Sequence, residues 1–209
     1  MFTSLGISEI ILLIVLIVPF RVRVGGSYAN VTCEEFEQRA QFDPYKIVDS
    51  TWKIVYFWSH TTEVRPIIFS LVEKKRLNRF KAIVEAINPG LDVEWHKVVV
   101  MMEPRPGTQV LLMYSGTTGA FRGIVKMEQR DKVRPHPEPL LKFADLRLKL
   151  EGRYLGMMCC EDLTGFVLTR TYEVPTTEKE CEVAATALGF RGPGGRSYLH
   201  VPNLTRTEI

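Results

Sequence analysis

FDPYKIVDSTWKIVYFW, residues Phe42 to Trp58, opens with turn chemistry at Asp43-Pro44 and then runs into a strand. In that strand Trp52, Ile54, Tyr56 and Trp58 fall on one side and Lys53, Val55 and Phe57 on the other, as the two-residue period of an extended chain requires. The even-numbered side is wholly apolar or aromatic and carries two tryptophans, more than the surface of a thin sheet needs. This predicts the first strand of a closed antiparallel barrel with a lined interior.

The remainder of the chain bounds that prediction. With 209 residues, 45% apolar and 24% charged, it has the length and composition of one globular domain with a real core. A formal net charge of +3 supplies no whole-molecule field that would favour nucleic acid. The four cysteines, Cys33, Cys159, Cys160 and Cys181, form no C-x-x-C pair and lie far from His60, His96, His136 and His200, which argues against a metal site. At the N-terminus, Ile10–Phe20 is an apolar run of eleven residues, short of the ~20 a membrane span needs but suited to the core of a secretory signal. Ser27 and Ala29 supply small residues for cleavage after Ala29, and Val24-Gly25-Gly26 offers a second site. Residues 1–29 are therefore predicted as a signal peptide and 30–209 as one secreted domain. Glu9 ahead of the apolar run, with Arg21 and Arg23 behind it, leaves a short signal-anchor as the other reading. An even cysteine count behind a signal peptide predicts two disulfides. Asn30-Val31-Thr32 and Asn203-Leu204-Thr205 are then candidate glycosylation sites at Asn30 and Asn203.

After the tryptophan strand, predicted over Thr51–Ser59, Thr61–Arg65 is polar and ends at Pro66. Ile67–Val72 reads as a second strand, and Lys74–Asn88 carries Leu77, Phe80, Ile83, Val84 and Ile87 at helical spacing before the stop Asn88-Pro89-Gly90. Five of the eight residues Lys74–Lys81 are basic: Lys74, Lys75, Arg76, Arg79 and Lys81. They form either a patch for a membrane, glycan, receptor or other acidic partner, or the solvated face of a surface helix. From Asp92 onward, strand follows strand: Asp92–Met102, Thr108–Ser115, Phe121–Glu128, Leu140–Glu151, Arg153–Glu161 and Phe166–Glu173, with Gln129–Pro139 as a proline-rich surface loop. Short strands with tight turns predict a meander, and about eight such strands close into a barrel wide enough for one small ligand. A helix follows, capped by Thr177 and Glu180 and striped by Val183, Ala184, Ala187 and Leu188, with Gly189-Phe190 as its stop. Ser197–Val201 reads as a last short strand.

This order resembles the lipocalin family, in particular divergent secreted members such as those of insects. Two motifs carry the resemblance. Phe42-Asp43-Pro44-Tyr45 leading to Ser50-Thr51-Trp52 is similar to the family's first-strand motif, with Ser50 where that motif has Gly. Gly165-Phe166-Val167-Leu168-Thr169-Arg170 is similar to the motif on its last strand, which ends in Arg. The family's middle motif, Thr-Asp-Tyr, has no counterpart near Lys149-Leu150-Glu151. The resemblance implies an eight-stranded antiparallel up-and-down barrel, a C-terminal helix packed outside it, and Arg170 laid across Trp52 to close one end. It also implies Cys33–Cys160, because in similar carriers an N-terminal cysteine pairs with one six residues after a tyrosine, the spacing of Tyr154 to Cys160. Cys159–Cys181 would remain; the swapped pairing, Cys33–Cys159 with Cys160–Cys181, stays open.

The chain contains no G-x-S-x-G, P-loop, G-x-G-x-x-G or H-E-x-x-H motif, so the sequence points to binding and not to an enzyme, with no cofactor. On strand alternation, Ile54, Tyr56, Trp58, Leu112, Tyr114, Tyr154 and Met158 are the candidate ligand-lining residues, with Leu111 and Met113 as the alternative to the Val110, Leu112 and Tyr114 face. Aromatic and Met side chains together suit a flat or isoprenoid hydrophobic molecule. The expected function is secreted binding and transport of a small hydrophobic ligand such as a pigment, retinoid or fatty acid. Two readings stand beside it: a filled barrel with no ligand, and a protein acting through its surface on another protein as an inhibitor, defence or signalling factor.

Overall fold

A computed structural model describes residues 29–59, 65–128 and 139–201. Eight antiparallel strands form the barrel: β1 (Thr51–Trp58), β2 (Pro66–Leu71), β3 (Val98–Arg105), β4 (Thr108–Tyr114), β5 (Ala120–Glu128), β6 (Pro139–Glu151), β7 (Tyr154–Cys159) and β8 (Thr164–Arg170). A ninth strand, β9 (Arg196–Ser197), lies outside it. Three helices accompany them: α1 (Cys33–Glu37), α2 (Lys74–Ile87) and α3 (Glu178–Ala187). Each of β2 to β7 pairs with the next in sequence, and β1 joins β8 to β2, so the sheet closes on itself. The architecture is that of a lipocalin-like up-and-down barrel, as the alternation and spacing predict.

Closure depends on β1. It pairs with β8 along its length, but with β2 only at Thr51, Trp52 and Lys53. Further along, β9 takes the edge that β2 leaves, with Ser197 opposite Tyr56 and Arg196 opposite Phe57. Midway, the register with β8 slips between Ile54 and Tyr56. One extra residue in a strand reverses the face of everything beyond it. Trp52, Ile54 and then Phe57 belong to the interior core, whereas Val55, Tyr56 and Trp58 belong to a cluster outside the barrel.

Two layers cover the outer wall. On one side α2 sets Phe80 and Val84 against Met101, Leu111, Met113 and Ile124 of β3, β4 and β5. This helix has no side-chain cap, and its first turn is basic, opposite to what its dipole favours. Its apolar stripe therefore holds it, not its ends. On the other side, α3 buries Cys181, Ala184 and Ala185 against Val55, Tyr56, Trp58, Met158 and Val167. Its capping box is formed as predicted: Thr177 Oγ1 accepts from the Glu180 N–H, and Glu180 Oε2 accepts from the Thr177 N–H. The Phe190 N–H returns to the Ala185 carbonyl, the closing bond of a helix that ends in a left-handed glycine, here Gly189. Phe190 then stacks on Phe36 of α1, ring centres 4.7 Å apart. Both rings lie so close to the sheet that a Cβ on Gly156 would stand 2.8 Å from Phe36, and one on Gly165 2.7 Å from Phe190. Glycine at those two strand positions admits the aromatic layer.

The disulfide Cys33–Cys160 ties α1 to the end of β7 and closes a span of 127 residues. Several expectations need correction. Cys159 and Cys181 are free thiols, because Cys159 faces the barrel interior and Cys181 is on the buried face of α3, on the opposite side of the sheet. The buried stripe of α3 is Cys181, Ala184, Ala185 and Leu188; Val183 and Ala187 face solvent. The strand expected from Asp92 begins at Val98, after a 3₁₀ turn at Trp95–Lys97, and continues through Pro104 to Arg105. A register shift between Met102 and Arg105 accommodates that proline. The expected strand Ser197–Val201 is β9 followed by a 3₁₀ turn at Tyr198–His200. Ala29 is fully buried, and its N–H donates to the Leu163 carbonyl at 3.0 Å. Cleavage after Ala29 would strip that residue from the outer cluster, whereas cleavage after Gly26 would retain it. The rest of the predicted signal peptide, the loop 129–138, the polar segment 60–64 and Asn203 lie outside the described residues; Asn30 is described and exposed.

Replacing Cys33 and Cys160 together with serine should lower the free energy of unfolding by about 2–5 kcal/mol, measured by urea denaturation, since the crosslink constrains a long loop in the unfolded chain.

Candidate functional site

The barrel interior has two halves. At the end where β1 begins, Trp52 is fully buried and its indole N–H donates to the Ile47 carbonyl at 2.8 Å. Arg170 stands directly opposite Trp52 in the ladder, with its guanidinium carbon 5.0 Å from the indole ring centre. Its Nη2 donates to the Lys46 carbonyl at 3.0 Å, and Nη1 lies 3.7 Å from Glu173 Oε2. The cation–π contact implied by the resemblance is present, and its donors satisfy the 3₁₀ turn Pro44–Lys46 that crosses this end. Above this floor Leu112, Val100, Leu148, Leu155 and Leu168 are at most 1% exposed, so the lower interior is solid. Phe42 and Tyr114 each meet Phe121 edge to face at the same end, 5.2 and 6.2 Å between ring centres.

Toward the far end, where the β3–β4 and β7–β8 turns lie, the inward-facing side chains change character. Val125, Ala144, Cys159 and Phe166 belong to the interior core but are only partly buried. Ile54 and Met157 beside them keep 8% and 7% exposure, against 0% for Leu112 and Leu155 deeper in. The wall at this level is apolar and soft, with one thiol. Cys159 Sγ donates to Glu161 Oε2 at 3.0 Å. Desolvation first, then that bond and the negative charges of Asp162 and Glu161, push the Cys159 thiol up to about 12. Cys181 is pushed up to about 11 by desolvation, then by Glu178, Glu180 and Glu182. Both are neutral thiols at physiological pH and so poor nucleophiles. Among the described residues no three His, Cys, Asp or Glu side chains converge as a metal site would need.

The seven candidate lining residues divide. Ile54 reaches the upper interior, and Leu112 faces inward within the sealed lower half. Tyr114 sits at the closed end, 39% exposed, with its hydroxyl on the Gly116 carbonyl. Tyr56, Trp58, Met158 and Tyr154 lie outside, in the layer under α3. The bulge displaces Tyr56 and Trp58; on β7 the inward face carries Leu155 and Met157, and Tyr154 and Met158 face outward. The sequence holds a signal of that orientation. Cys160 shares the phase of Met158, Gly156 and Tyr154, and a cysteine bridged to an N-terminal arm must point away from the interior. Likewise Phe166 shares the phase of Leu168 and Arg170, which places it inward.

A second concavity lies outside the barrel, between α2 and the outer face of β2 to β5, with a volume of about 750 Å³. Arg76 and Arg79 of the basic run line it, whereas Lys74, Lys75 and Lys81 do not. Lys81 instead lies 3.6 Å from Glu85.

No protein-family model matches the chain, and comparison with curated proteins and with solved structures finds no significant match.

Arg170→Met, which keeps the apolar stem, should cost about 2–3 kcal/mol in urea unfolding, because it removes both the cation–π contact and a charged hydrogen bond. Glu173→Gln should cost under about 1 kcal/mol, its pair with Arg170 being long and partly solvated. In the unfolded, unreduced chain a thiol reagent should count two free thiols, Cys159 and Cys181; a count of zero would mean a second disulfide. In the native chain both should alkylate at least about tenfold more slowly at pH 8 than a free thiol, whose pKa is about 8.5.

Proposed function

We propose that this chain is a lipocalin-type binding protein that holds a small hydrophobic molecule in the upper half of its barrel. One observation carries the reading: the change along the interior from a sealed floor at Trp52, Leu112 and Leu155 to a partly exposed apolar wall at Phe166, Val125, Ala144 and Met157. Small-ligand sites are concave, mostly apolar and largely formed in advance, and barrel ends are a common place for them. A rigid floor favours this further, since the side chains beneath a ligand need not rearrange to admit it. The inner wall offers methyl groups, the rings of Phe57 and Phe166 and a protonated thiol, with the Arg196 guanidinium 5.2 Å over the Phe57 ring, which suits a largely apolar molecule. Secretion is part of the proposal. The apolar N-terminal run supports it, as does the Cys33–Cys160 bridge, a bond that persists in oxidising surroundings.

The fluorescent probe N-phenyl-1-naphthylamine, which is neutral and apolar, tests the reading. It should bind the purified protein saturably with enhanced emission. Ala144→Phe, which fills the upper interior, should weaken it about tenfold, the loss expected when a ring occupies ligand volume. Trp58→Ala should lower the melting temperature yet leave the probe's affinity unchanged, since Trp58 is under α3. Equal affinity for the wild type and Ala144→Phe would remove the barrel as the site.

A further inference from the structure

We propose that the cleft between α2 and the outer barrel wall is a second binding site, for an amphiphile with an acidic head group and an apolar tail. Its volume of about 750 Å³ is in the range of small-ligand sites. Its surfaces are of two kinds. Phe80 and Ile83 of α2, Met101 of β3 and Ile68 of β2 give an apolar bed, and Ile68 is 46% exposed on the sheet surface. Around that bed, besides Arg65, stand four cations, Arg76, Arg79, Arg105 and Lys126, against two carboxylates among the described residues, Glu103 and Glu128.

The pairings inside the cleft show which charge is left over. Glu103 Oε1 already accepts from Arg76 Nη2 at 2.9 Å and from Gln109 Nε2 at 3.0 Å. Arg105 spends its Nε on Thr108 Oγ1. Lys126 is 9% exposed, yet its ammonium has only a loose partner, Glu128 at 3.8 Å. A buried cation without a close counter-charge is costly, and an incoming anion relieves it. Arg79, one helical turn from Ile83 and three residues after Arg76, lines the same cleft with no ion pair among the described residues. Arg79 and Lys126 are thus the two positions from which an acidic head would be held while its tail lies on Ile68, Ile83 and Met101. Among the described residues the upper interior offers no such pair: Arg196 lies over Phe57 with its Nη2 already donating to the Ser59 carbonyl, and Cys159 stands beside Glu161, which repels an acid. The two sites therefore select different chemistry.

The test is titration calorimetry of the whole purified protein with dodecanoate below its micelle concentration, compared with dodecanol and with acetate. Dodecanoate should bind saturably and more weakly as salt is raised, with dodecanol and acetate each at least about tenfold weaker, as a charge-assisted contact joined to tail burial requires. Arg79→Glu and Lys126→Met should each weaken dodecanoate by about tenfold or more. Lys74→Glu with Lys75→Glu, on the same helix but outside the cleft, should leave it unchanged. The proposal is overturned if Arg79→Glu and Lys126→Met bind dodecanoate as the wild type does, if the Lys74/Lys75 pair matters as much as Arg79, or if dodecanol binds as tightly. It is also overturned if Ala144→Phe, and not Arg79→Glu, abolishes binding, which would put the acid in the barrel. Failure of N-phenyl-1-naphthylamine to bind would leave this site untouched.

Discussion

Trp52 is the point at which the sheet closes. Its backbone faces Arg170 of β8 on one side and Ile67 of β2 on the other, and its indole lies beneath the Arg170 guanidinium. β1 meets β2 at only three residues, so the seam of the barrel is short, and the side chain at its centre must be held firmly. Three bonds do this at once: the indole N–H to Ile47, the guanidinium over the ring, and the same guanidinium to the Lys46 carbonyl. Each is worth about 1–2 kcal/mol where water is excluded. Together they join the chain before β1 to the end of β8, across more than a hundred residues of sequence.

What lies beyond that seam follows from one extra residue. The bulge after Ile54 leaves Val55 outward, turns Tyr56 and Trp58 outward beside it and brings Phe57 in. The outer face of β1 thereby carries Val55, Tyr56 and Trp58 together, apolar groups that cannot be left in water. α3, Phe36 and Phe190 cover them, and Cys33–Cys160 fastens the arm that carries Phe36. Burial of an aromatic side chain is worth about 1.5–3 kcal/mol, so this layer stabilises the barrel from outside much as Trp52 does from within. The aromatic wealth of the first strand thus serves packing on two faces, and little of it is left for a ligand.

The two outer layers differ in how completely they cover the wall. Under α3, Val167, Met158 and Leu188 are sealed. Under α2 the coverage is partial. Phe80 and Val84 reach the sheet, but Arg76, Arg79 and Ile83 stand over a concavity with an exposed isoleucine at its side. A helix with basic residues in its first turn would be a poor one alone, and packing supplies what its ends lack.

Much of the fold was legible in the sequence because it is local. Turn residues, two-residue alternation and the Thr177–Glu180 capping box each operate over a few positions, and they place both longer helices and every strand but the start of β3 within a few residues. The closed end was legible too, through Trp52, Arg170 and the resemblance they carry. The lining was not. Which face of a strand looks inward is decided by register with its neighbour, and a bulge is a property of the pair β1–β8, invisible in β1 alone. Cys159 and Cys181 are free because neighbours on a strand face opposite sides: with Cys160 bridged on the outer face, Cys159 points into the barrel, away from Cys181. The cleft under α2 joins residues from one helix and four strands, so its charge and shape exist only once the chain has closed.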